Sequence, residues 1–194
     1  MVRKMTARIC LLVAIFVLSV ASHAQQNFRS DSEGAGGAKI GMTVAQARTA
    51  MKDYQFSPSS NGEGIALLGV TCRGARTMTL YAGEDFDVAS TIDFLASIET
   101  IEVWGHRFKT AEGVHVAMRV VDAERRLGKI KEIILTPIES REFITFSRST
   151  PNIGYRFFGG FYASRGTFTT EYEPGARLWS IQVQKDEGHS QPEA

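Results

Sequence analysis

The chain has 194 residues, of which 43% are hydrophobic and 22% charged, with a formal net charge of +1 at pH 7. That length is ample for a buried core, and the near-neutral charge, with no basic stripe to neutralise phosphates, argues against a nucleic-acid binder. With Cys10 and Cys72 as the only two cysteines, no dense disulfide framework is available either.

Arg3, Lys4 and Arg8 precede an apolar run over residues 9–20, and Ser22-His23-Ala24 places small residues where a signal peptidase needs them. The pattern predicts a signal peptide over residues 1–24 and a mature chain beginning near Gln25, in the periplasm or secreted. The run of 12 residues is short against the roughly 20 that cross a bilayer, and no later segment approaches that length. Cys10 lies inside the run, so it is not placed to become the acylated first residue of a lipoprotein. Without residues 1–24 there are 19 basic and 21 acidic side chains, a net charge of −2. Cys72 is then the only thiol, which leaves it either buried or open to a mixed disulfide; its place near Val70 favours burial.

Residues 25–38 are polar and glycine-rich and predict a flexible leader, as residues 185–194 predict a disordered tail. Between them a pattern recurs. Gly37, Met42, Val44 and Ala47 match Gly113, Met118, Val120 and Ala123, and Ile40 and Met51 pair conservatively with Val116 and Leu127, always 76 positions apart. Such spacing predicts one supersecondary unit used twice, over residues 39–108 and 109–184. Thr43-Val44-Ala45-Gln46 has the form of a capping box at a helix start, after which Val44, Ala47 and Met51 form an apolar stripe. In the second copy Val120, Ala123 and Leu127 form the stripe and Gly128 ends the helix, but Arg119 replaces the capping threonine.

After each helix the periodicity shortens to two. Strands are predicted over residues 64–70, 77–81, 92–95 and 98–103, the last extending toward Phe108, and over 130–136, 141–147, 154–158 and 178–184. Ile98, Ile101 and Val103 match Leu178, Ile181 and Val183 at an offset of 80. Short punctuation at Asn61-Gly62, Pro137 and Pro151-Asn152 fits antiparallel connections, giving an α+β fold of two tandem repeats, each a short helix followed by roughly four antiparallel strands.

Ile40-Gly41-Met42-Thr43 with Val44 and Ala47, and the copy Val116-Ala117-Met118 with Leu127-Gly128, resemble the tandem helix-plus-sheet units of the β-lactamase inhibitor protein and SmpA-type envelope protein superfamily. The resemblance implies that fold, an exported location and an open sheet face that binds other proteins. SmpA-type proteins carry a lipoprotein cysteine at the mature N-terminus and the inhibitors carry cysteine pairs within their repeats; this chain has neither. No contact residue of that family carries over to a numbered position here.

No catalytic or metal-binding constellation stands out in the residues. His106, His115 and His189 show no HxxxH or HxH spacing, so neither a metal nor a cofactor is expected. Glu84, Asp85, Asp87 and Asp93 are dense enough for a calcium site but lack the spacing of a calcium-binding hand and read as a solvated loop. No Gly-x-Ser-x-Gly elbow occurs, Cys72 lies in no thiol-activating signature, and Gly159-Gly160 reads as a hairpin or bulge. If Ile101 and Val103 face the core, alternation turns Glu102, Trp104, His106 and Phe108 outward, where the rings either meet a partner or cover the seam between repeats. The same choice applies to Tyr155, Phe157, Phe161 and Tyr162. The expected function is therefore that of a non-enzymatic protein-binding module of the cell envelope, with Trp104, His106, Phe108, Tyr155 and Phe157 as candidate partner-binding residues. The alternative is an exported enzyme or small-ligand binder with a pocket between the repeats where Cys72, His106 or Arg141 converge.

Overall fold

Around Thr43 both halves of a capping box form: the Gln46 N–H donates to Thr43 Oγ1 at 3.3 Å, and the Thr43 N–H donates to Gln46 Oε1 at 2.9 Å. The helix so started, α1 (Val44–Ala50), buries Val44, Ala47 and the following Met51. The second helix, α2 (Val120–Leu127), buries Val120, Ala123 and Leu127 and has Arg119 at its N-cap with no side-chain cap. Arg119 instead pairs with Asp122 in the first turn. Gly128 ends α2 at φ 82°, and a side chain there would run into Ser147.

The computed structural model describes residues 29–61, 66–83, 92–136, 141–160 and 168–185. The predicted signal peptide, Gly62, Pro137, Glu84, Asp85, Asp87, Phe161, Tyr162, His189 and nearly all of the predicted tail lie outside them. Where a flexible leader is expected, three short strands form instead: β1 (Ser30–Asp31), β2 (Gly34–Ala35) and β3 (Ala38–Lys39). Ala35 and Ala38 enter the core, and Gly36 lies so close to the Phe108 ring that a side chain there would collide with it. Glycine content reads as flexibility in sequence, but here it permits close packing.

The remaining strands are β4 (Gln55–Ser60), β5 (Ala66–Cys72), β6 (Ala75–Ala82), β7 (Ile98–Val103), β8 (Ile130–Leu135), β9 (Glu142–Phe146), β10 (Ile153–Gly160), β11 (Phe168–Thr169) and β12 (Tyr172–Gln184). They form one antiparallel sheet in the order β11-β8-β9-β10-β12-β7-β6-β5-β4. The fold is thus mixed α+β, mostly antiparallel sheet with two short helices among the described residues. The sequence reading misses β4, whose Pro58 suppresses a strand assignment; as an edge strand it tolerates a residue with no N–H. It also predicts a strand over residues 92–95 that is absent. That segment serves α1 instead, since the Phe94 and Ala96 carbonyls accept the Ala45 and Val44 N–H groups.

Corresponding backbone bonds hold each helix start against the sheet. The Gly41 N–H donates to the Ile98 carbonyl and the Ile98 N–H to that of Met42, while the Ala117 N–H donates to Leu178 and the Leu178 N–H to Met118. Gly41 and Ala117 share a left-handed backbone, with φ of 82° and 68°. Both helices press on one sheet face, where Val70, Leu80, Ile101, Ile144, Tyr155, Phe157 and Ile181 are buried with their apolar stripes. Tyr172 ties β12 to α2 through its hydroxyl, which donates to Glu124 at 2.8 Å. Partial burial and that carboxylate push the phenol up to about 12. No helix among the described residues is long and apolar enough to cross a membrane.

Candidate functional site

On the opposite sheet face the described residues include no helix, yet Thr79, Glu102 and Ser180 are almost wholly buried. Their positions explain how. Glu102 lies next to the end of β7, opposite Thr79 of β6 and Gln182 of β12. Its carboxylate accepts hydrogen bonds from the Ser180 hydroxyl at 2.6 Å, the Tyr81 hydroxyl at 3.2 Å and Arg156 Nη1 at 3.4 Å. Three donors, one of them a cation, satisfy a charge whose side chain is only 3% exposed, as burial of a carboxylate demands.

Tyr81 also meets the Arg141 guanidinium, which precedes β9. Between β6 and β9 lie four inter-strand steps, about 19 Å on a flat sheet, so side chains that meet across them require a sheet curled toward this face. The curl gathers the polar network on a face that bears no helix among the described residues. Burial and the Glu102 charge hold the Tyr81 phenol above its ordinary value, with Arg141 acting against them.

The network also fixes an aromatic surface. Trp104 Nε1 donates to Thr79 Oγ1 at 2.9 Å, and the Arg156 guanidinium sits 5.8 Å from the Trp104 ring centre. Beyond Arg156, Phe158 of β10 and Trp179 of β12 pack edge to face with ring centres 5.9 Å apart. Both are largely exposed, at 63% and 53%. Trp104, Phe158 and Trp179 line a groove of about 550 Å³ whose floor includes Ala176 and Leu178.

Of the residues singled out from sequence, Trp104 lies in this site, half-buried, and His106 is exposed in the turn that follows. Phe108 is fully buried, a correction: the Phe108 N–H bonds the Gly105 carbonyl, so a tight turn ends the strand alternation before it reaches Phe108. Tyr155 and Phe157 are also core residues, with Phe146 packed edge to face against Tyr155. Alternation along β10 places them inward with Ile153 and leaves Arg156 and Phe158 on the other face.

Trp179 and Phe158 escape the sequence reading. The available signal is the spacing of three between inward-facing Leu178 and Ile181, which a regular strand cannot produce. It marks a bulge, observed where β12 carries an extra residue against Arg156 and Phe157, and it leaves Trp179 and Ser180 together on the face opposite α1 and α2.

Cys72, His106 and Arg141 are not brought together. Cys72 pairs with Ala75 at one end of β6, whereas Arg141 meets Tyr81 six residues along, about 20 Å away. Cys72 is half-buried rather than in the core. Of the acidic group only Asp93 is among the described residues, and its carboxylate accepts the Leu95 N–H. Among the described residues no three metal-ligating side chains cluster. Half-buried Glu142 receives the Gly159 and Gly160 N–H groups at 3.0 and 3.1 Å, yet desolvation outweighs them and holds its carboxyl above the usual range.

No protein-family model matches the chain, and no curated protein matches it. Among solved structures it is similar to the uncharacterized protein YfeY of Escherichia coli, at 15% identity and a TM-score of 0.55. The match covers 81% of this chain and 99% of that one, and at that identity it establishes a shared fold alone.

Proposed function

We propose that this chain is an exported, non-enzymatic protein-binding module of the cell envelope, which docks a partner on the sheet face opposite α1 and α2. One observation carries the reading: Phe158 and Trp179 are packed together yet exposed, beside a Trp104 held in place by Thr79 and Arg156. Paired aromatics on a rigid surface lose little conformational freedom on binding, and Trp and Arg are enriched among residues that dominate interfaces. The export half of the proposal rests on residues 1–24 of the sequence.

We read the architecture as two copies of one helix-plus-sheet unit, of the kind found in the β-lactamase inhibitor protein and SmpA-type superfamily. Supporting this are the matched helix-start bonds, the left-handed Gly41 and Ala117, and the β7–β12 register, in which Val103 faces Ile181 and Ile101 faces Val183. With the offset of 80, Glu102 lies opposite its own counterpart Gln182, on the pseudo-twofold axis.

The test is a cross-linked pull-down from envelope extract with residues 25–194 and the Trp179→Ala variant in parallel. A saturable partner lost in the folded variant supports docking on this face. Equal recovery by both proteins, or no partner, refutes it.

A further inference from the structure

Beside the aromatic groove, and sharing Ala117 and Arg177 with it, lies a second cavity of about 510 Å³ at the start of α2. Arg119, Arg125, Arg126 and Arg177 line it with His115, against a single acid, Asp122. Asp122 pairs with Arg119 and Arg125 at 2.8 and 2.7 Å, which leaves the Arg126 and Arg177 guanidinium groups without a carboxylate in the cavity. Arg126 Nη1 donates to the Glu112 carbonyl and Arg177 Nη1 to that of Ala117. Those bonds fix two guanidinium groups and consume only one of five donors on each. The uncapped first turn of α2 adds partial positive charge to the same cavity.

From this adjacency we infer the chemistry of the partner: a chain segment with apolar side chains followed by carboxylates, the apolar part on Trp104, Phe158 and Trp179 and the acids on the arginine cavity. The inference rests on the docking proposal and specifies its occupant. Charge complementarity selects an anion, and planar guanidinium forks suit carboxylates. The fold selects a peptide over a lipid surface. Phe158 and Trp179 stand on adjacent strands in the middle of a nine-stranded sheet, on the face toward which it curls, where a flat bilayer does not reach.

Trp104 and Trp179 are the two tryptophans of the chain, and both line the groove, so intrinsic fluorescence reports its occupancy. The experiment titrates residues 25–194 with a synthetic peptide of leucines and phenylalanines followed by aspartates and glutamates. A second peptide replaces the acids by lysines, a third replaces the apolar residues by glycine and serine, and phosphatidylglycerol vesicles form a fourth arm. The expected result is a saturable emission shift with the first peptide, at least about tenfold tighter than with the second or third and weakened by salt. Arg125→Gln/Arg126→Gln, which alters exposed side chains and loses only the Asp122 and Glu112 contacts, should bind it about tenfold more weakly with a melting midpoint only about 2–4 °C lower.

Equal binding of the acidic and basic peptides, or full affinity in the double variant, overturns the acidic assignment while leaving docking on the aromatic groove intact. Tighter binding to vesicles than to the peptide, or no response to the first peptide, overturns it as well. Docking on this face is decided separately by the Trp179→Ala pull-down.

Discussion

The Ser180 hydroxyl donates to the Glu102 carboxylate at 2.6 Å, joining the two central strands of the sheet on the face that bears no helix among the described residues. Arg156 and Tyr81 complete the shell from neighbouring strands, so one buried charge organises four strands. Glu102→Ala leaves Arg156 without its carboxylate at a site where its own side chain is only 15% exposed, and should cost about 3–5 kcal/mol. Glu102→Gln keeps an acceptor for Ser180 and should cost about 1–3 kcal/mol. Urea unfolding measures both. A Glu102→Ala variant as stable as the parent would show that the network does not hold this face.

Ala117 occupies a left-handed conformation that favours glycine, and Gly41 occupies the corresponding one. Ala117→Gly relieves about 1–2 kcal/mol of steric cost and adds about 0.5–1 kcal/mol of unfolded-state entropy, for a net gain of about 0.5–1 kcal/mol. Gly41→Ala should show a loss of similar size, since no atom lies within 4 Å of the added methyl and the effect is conformational alone. Thermal melts of the two variants should move in opposite directions.

Exposed and buried aromatics should separate cleanly. Trp179→Ala removes a ring that is 53% exposed and should cost about 1 kcal/mol, mainly its contact with Phe158. Phe157→Ala empties a fully buried position and should cost about 3–5 kcal/mol. Equal losses in denaturant unfolding would place Trp179 in the core and remove it from the docking surface.

Glu142 supplies the pH test. Its folded carboxyl titrates above the ordinary 4.5 because burial disfavours the charge more than the Gly160 and Gly159 N–H groups favour it. The folded state therefore holds this proton more tightly than the unfolded chain does. The resulting stability is fully present below the unfolded value and is lost as pH rises through the folded one. Glu142→Gln keeps an acceptor for the two N–H groups and removes the titration. Wild-type stability minus that of the variant, from urea unfolding at a series of pH values, should fall between pH 4 and neutrality. A difference that stays constant or rises would contradict the assigned cause.

Much of the scaffold was legible in the residues. The Thr43/Gln46 capping box, the stripes Val44-Ala47-Met51 and Val120-Ala123-Leu127, the uncapped Arg119 and the closing Gly128 all stand where the sequence predicts them. These are local: a cap or a stripe is decided within a turn or two of helix, so its determinants lie side by side in the chain. Strand alternation was equally visible in residues 98–103 and 178–184.

What alternation leaves open is which face is covered, and where a turn or bulge shifts the parity by one residue. The Gly105–Phe108 turn sends Phe108 into the core, and the bulge at Trp179 turns that ring out. Tyr155 and Phe157 face inward because the helices lie on their side of the sheet. The Glu102 network joins residues 81, 102, 156 and 180, which only strand pairing brings together. The helices, their caps and most of the strands are legible in the residues, because each depends on near neighbours. Tertiary structure alone decided which aromatics are exposed and where the buried charge lies, because both follow from strand order, register and the curl of the sheet.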